Sequence, residues 1–189
     1  TGVADTRYQP TIQSAPSNIP RFDHNPNTGE SKGLLVEEAR TNYFVYTVPI
    51  AGSGQGRWSG NTSFRNNQAI APDGTRTAAW AYQTASGTYT QSYASLGSTA
   101  VRTYAYSFYA KPYTSTCNGI RAYIHESQAG NRSEGIFNFE TGSSSATNHG
   151  TWTNTSTYMS QVGNGWWRCT IVGTSDGSNS NVILNIRSA

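Results

Sequence analysis

Charge is the first thing this sequence is short of. Only 12% of its 189 residues are Asp, Glu, Lys or Arg, against roughly a quarter in an average globular protein. Lysine is nearly absent: of the 13 basic residues only Lys32 and Lys111 are not arginine, and the arginines are scattered singly. A formal net charge of +3 spread in this way lacks the clustered basic stripe that a phosphate backbone needs, so no nucleic-acid partner is expected. Cysteine numbers two, Cys117 and Cys169, too few for a disulfide scaffold and without the Cys-x-x-Cys or Cys/His spacing of a metal site. Either the two pair, or they are buried small hydrophobes, which lone cysteines more often are. Long apolar runs are missing as well. No segment approaches the ~20 apolar residues that cross a bilayer, and no charged-then-apolar leader opens the chain, so membrane insertion is not expected. Thr1 in place of Met points to processing or to excision from a larger protein. Helix signals are almost absent, with at most one turn over 36–42 between flanking Gly and Pro.

What the sequence has instead is Gly, Ser, Thr, Asn and Tyr, a surface that hydrogen-bonds rather than ionises and suits polar neutral ligands. Residues 1–18 are polar, Pro-bearing and without periodicity, and read as an extended N-terminal arm or linker. From 19 to 189 strand signals recur every ten to twenty residues between Gly/Ser/Asn clusters. They fall at 77–84, 88–96, 103–110, 120–126, 135–140, 157–162, 167–173 and 181–187. The segment 103–110 sets Tyr104, Tyr106 and Phe108 against Thr103, Ala105 and Ser107, a period of two that no helix can use. With turns at Asn164-Gly165 and Asp176-Gly177, the pattern predicts an all-β fold: a two-sheet antiparallel β-sandwich, arranged as a jelly roll, over 19–189.

One stretch is too specific in its order to come from composition. Residues 19–42 read IPRFDHNPNTGESKGLLVEEARTN, a Pro-bounded turn region leading into Gly33-Leu34-Leu35-Val36 and then Glu37-Glu38-Ala39-Arg40. This closely resembles a segment of tailed-bacteriophage virion proteins that precedes a lectin-like, carbohydrate-binding-module-like β-sandwich. Three further stretches resemble the same family in the same order: 71–75 (APDGT), 106–111 (YSFYAK) and 162–169 (VGNGWWRC). The resemblance spans nearly the whole chain. It implies a jelly roll, a virion location in the tail or another appendage, partners among other virion proteins or identical subunits, and contact with host-surface glycans. Related sequences continue with a further strand where this chain stops at Ala189, so either a neighbouring chain supplies a strand, making a homo-oligomer, or one sheet edge stays open.

For chemistry the sequence offers little. Glu126, Glu134 and Glu140 surround an expected hairpin, but they read as solvated turn and edge charges rather than the facing pair a glycosidase needs. His24, His125 and His149 meet no Gly-x-Ser-x-Gly elbow; Asp23-His24-Asn25 reads as a structural turn; the glycines at 52–56 lack the Lys-Ser/Thr and helix of a phosphate loop. No catalytic residue, metal or cofactor is expected. A binding face is better supported. If Ile120, Ala122 and Ile124 point inward, Arg121, Tyr123 and His125 share the opposite face. A planar cation, an aromatic ring and an imidazole in one row suit the C–H face and hydroxyl rim of a sugar, with Tyr123 as the stacking platform. Trp58 and Trp152, in Gly/Ser/Asn-rich loops, are the expected rim of that glycan site. The expectation is therefore a non-enzymatic module that helps assemble a phage appendage and binds host glycans. A purely architectural capsid decoration or fibre subunit and a glycan-degrading appendage enzyme are the alternatives, and fold class alone does not separate the three.

Overall fold

Residues 22–24, 30–34, 43–44, 57–60, 62–83, 90–95, 99–114, 117–126 and 130–188 are described by the structure, a computed structural model. The chain separates into two compact units, 1–41 and 42–189. The first contributes a short antiparallel hairpin, β1 (Phe22–His24) with β2 (Ser31–Leu34), pairing Phe22 with Leu34. The expected arm over 1–18, the helical turn at 36–42 and the glycine run at 52–56 lie outside the described residues.

In the second unit, β3 (Ser59–Gly60), β4 (Thr62–Ala69), β5 (Ala78–Gln83), β6 (Thr90–Ser95) and β7 (Thr103–Ala110) precede β8 (Gly119–His125), β9 (Arg132–Asn138) and β10 (Ser143–His149). Strands β11 (Thr153–Gly163), β12 (Trp166–Thr174) and β13 (Asn181–Ser188) complete it. Every pairing is antiparallel, and no helix occurs among the described residues. A six-stranded sheet runs β10-β9-β8-β13-β6-β3, a three-stranded sheet runs β11-β12-β7, and β4 and β5 form a separate hairpin. The last strand, β13, lies inside the large sheet between β8 and β6 rather than at an edge.

The two larger sheets meet face to face, an arrangement consistent with a β-sandwich. Phe137 of β9 stands edge-on to Phe108 of β7, with centroids 5.6 Å apart at 87°. Tyr104 stacks on Trp152 at 5.9 Å. Around them Ala122, Ile124, Ile171, Cys169, Val182 and Leu184 are almost entirely shielded from water. The approach is close enough to dictate glycines. A Cβ on Gly173 of β12 would lie 1.9 Å from Ser133 Oγ, and one on Gly135 of β9 would lie 2.8 Å from Thr157 Cγ2. Bare backbone at both positions lets the sheets close. Both cysteines are free; Cys169 is fully buried, and burial pushes its thiol up to about 12.

β7 has the bounds and the alternation expected of it, with Tyr104 inward and Thr103, Ala105 and Ser107 exposed. The Asn164-Gly165 turn joins β11 to β12 with positive φ at both residues, 51° and 78°, the two-residue geometry that Asn-Gly favours. Asp176-Gly177, by contrast, sits in the longer connection between β12 and β13. Asp176 there accepts hydrogen bonds from the Thr151 hydroxyl and from the Ser178 N–H, which hold its carboxyl below the usual range.

Candidate functional site

The predicted row is real in direction and different in exposure. In β8, Ala122 and Ile124 are fully buried and Ile120 packs against the core, so Arg121, Tyr123 and His125 share the outer face of the large sheet. That face is not open. Tyr123 is only 7% exposed, because Arg132 and Arg187 lie over its ring with guanidinium carbons 5.0 and 5.1 Å from the centroid. Two cation–π contacts occupy the surface on which a sugar would have to stack. His125 is 5% exposed and bonded through Nε2 to the Asn185 amide at 2.9 Å. Desolvation, reinforced by the Arg132 charge, lowers its pKa to about 4, so the ring is neutral at pH 7. The expected open stacking platform is thus corrected: alternation fixes which way a side chain points, and the long arginines then close over it.

The acids are corrected in the same way. Glu134 is 6% and Glu126 1% exposed, so neither is a solvated turn charge; Glu140 is exposed. Glu134 of β9 sits opposite Tyr123 and gathers Arg121 Nη1 at 3.4 Å, Arg132 Nη2 at 3.1 Å and His149 Nε2 at 3.0 Å, the last without hydrogen-bond alignment. Its neighbours on β8 and β10 bring these groups in: Arg121 by β-pleat parity, His149 through the edge pairing that sets it beside Arg132. Glu126 accepts from the Tyr104 hydroxyl at 2.9 Å and from the Asn179 N–H at 3.2 Å, tying β7, the end of β8 and the β12–β13 connection together. Both carboxylates are committed to holding strands.

Trp152, expected at a rim, is 1% exposed and lies in the core against Tyr104, its Nε1 without a hydrogen-bond partner. The Gly/Asn-rich loop around it folds the indole inward, because the space between the sheets needs a large ring where Gly173 leaves room. Trp58 is half-buried and packs against the same core. Neither forms an open rim. Among the described residues no three His, Cys, Asp or Glu side chains converge as a metal site.

The outer face of the small sheet carries open aromatic surface. Tyr109 of β7 is 51% and Tyr158 of β11 is 63% exposed. Register places Tyr109 directly opposite Arg168 of the central strand β12, and Arg168 opposite Ser160 of β11. Tyr158 pairs with Thr170, one step along the sheet, which in turn faces Ser107. The hydroxyls of Ser107 and Thr170 bond each other at 2.8 Å and those of Thr103 and Thr174 at 2.9 Å, forming a rung-like row. Tyr158, Met159, Ser160, Arg168 and Thr170 line a shallow open depression of about 280 Å³. Two rings stand on strands that lie two spacings apart, about 10 Å, with hydroxyls and one guanidinium between them. The signal was present in the sequence: extending the alternation of Thr103, Ala105 and Ser107 by one step reaches Tyr109.

A scan of the chain against protein-family models finds no match, and no curated protein matches it.

Proposed function

We propose that this chain is a non-catalytic, glycan-binding β-sandwich module, of jelly-roll type, carried on a tailed-phage virion appendage. The sequence resemblance over 19–42, 71–75, 106–111 and 162–169 supports the virion setting, assembly with identical or other virion subunits, and contact with the host surface. The observation that carries the binding reading is the open face bearing Tyr109, Tyr158 and Arg168 over a Ser/Thr row. A flat sheet face of this kind offers C–H stacking to a sugar ring and hydroxyl partners to its rim. It also leaves the Arg121-Tyr123-His125 face of the large sheet as scaffold.

A glycan array probed with the whole chain tests this. Tyr158→Ala and Tyr109→Ala are each expected to weaken binding about five-fold, the scale of one aromatic contact, while leaving the melting temperature within a degree or two, since each ring is more than half exposed. Undiminished binding by the double variant would remove this face from consideration.

A further inference from the structure

Among the described residues, Arg168 is the one charged side chain on the outer face of the small sheet. By register that face carries Thr103, Ala105, Ser107 and Tyr109 of β7, Arg168, Thr170, Val172 and Thr174 of β12, and Ser156, Tyr158 and Ser160 of β11, without a carboxylate. Arg168 is exposed and has no ion pair or hydrogen-bond partner among the described residues. The contrast with the large sheet is informative. There Arg121 and Arg132 are bound to Glu134, and Arg132 and Arg187 cover Tyr123. Nearby Lys111, at the turn end of the β11–β12 hairpin, has its ammonium held by the Asn164 carbonyl at 2.6 Å. Of these cations only Arg168 has no partner among the described residues.

We infer, resting on the glycan-binding reading above, that the ligand of this face is an acidic glycan whose sugar carboxylate is taken by Arg168 while neighbouring rings lie on Tyr109 and Tyr158. A planar guanidinium grips a carboxylate through two parallel N–H···O bonds. The charges match one to one: a uronate carries a single negative charge and the face a single positive one, whereas a phosphate, more nearly dianionic at pH 7, calls for a second free cation. The two tyrosines flank Arg168 from strands on either side of β12, so a ligand that reaches both is a chain of sugars rather than a monosaccharide.

The test uses the intact chain and three probes: an oligogalacturonate and its methyl ester, which share one backbone, and a phosphorylated neutral oligosaccharide, with an array of other acidic glycans printed beside their esters. The expected result is that acidic members bind at least five-fold more tightly than their esters. Raising salt from 50 to 500 mM should narrow the gap, because the contact is exposed, and Arg168→Gln should abolish the preference without changing the melting temperature. Arg168→Lys should restore part of it, keeping the charge and losing the fork. Equal, Tyr158-dependent binding of acids and esters would overturn the acidic assignment while sparing the glycan-binding reading. Preference for the phosphorylated probe would overturn the carboxylate assignment. Absence of binding to every glycan would overturn both.

Discussion

Replacing Trp152 with alanine lowers the stability of the sandwich by about 3–5 kcal/mol, the usual cost of removing a large aromatic side chain from a packed core. The indole is 1% exposed, stacks on Tyr104, and lies against the backbone at Gly173, so no neighbour is free to fill the space it leaves. Tyr104 in turn holds Glu126, so the loss reaches the bond network that joins β7 to β8. Trp152→Phe should behave quite differently. It keeps a ring against Tyr104 and removes a buried Nε1–H that has no acceptor, an atom whose burial is itself unfavourable, so its cost should stay below about 2 kcal/mol. Urea unfolding of the three proteins reads both numbers. An alanine variant as stable as the wild type, with weakened glycan binding, would return Trp152 to the rim of a binding site and remove it from the core.

The second large effect is in pH. His125 is neutral and buried in the folded chain with its pKa near 4, against an ordinary value of 6.5. Between those values the unfolded chain binds a proton that the folded chain does not. Stability from this group is therefore complete above pH 6.5 and is lost as the pH falls toward 4, by about 3 kcal/mol over the whole interval. The groups around the ring fix the sign: Arg132 is its partner on β9, Asn185 bonds its Nε2, and no carboxylate bonds it among the described residues. Asp176 has a lowered pKa, so its contribution is fully present above about pH 4 and is lost only below it, a separate window. Melting temperature measured from pH 7 to 4.5 should fall steadily in the wild type and much less in His125→Gln, whose amide can still meet Asn185. A flat profile in the wild type would contradict the buried, neutral ring.

The sequence made parity legible and burial much less so. Alternation put Arg121, Tyr123 and His125 on one side of β8 and Tyr104, Tyr106 and Phe108 on one side of β7, as the register has them. It could not reveal that Arg132 and Arg187, 9 and 64 residues beyond Tyr123 in the chain but adjacent to it in space, would fold over its ring and close the face. β10, SSSATNH, escaped notice because it is an edge strand with mostly exposed residues and has no apolar face to alternate. β4, rich in Asn, Arg and Gln, was hidden for the same reason. The site itself was half legible. Exposed tyrosine and arginine at 109, 158 and 168 follow from the alternation of their own strands, yet only the pairing of β7, β12 and β11 brings them together.

The location of binding is the claim on which the functional account stands. Titrating isotope-labelled protein with the tightest glycan from the array and following backbone amide shifts addresses it directly. The predicted result is a cluster of shifts over β7, β12 and β11 centred on Tyr109, Arg168 and Tyr158, with β8, β9 and β13 undisturbed. Shifts centred instead on Arg121, Tyr123 and His125 would contradict it, and would mean that the arginines over Tyr123 move aside for the ligand.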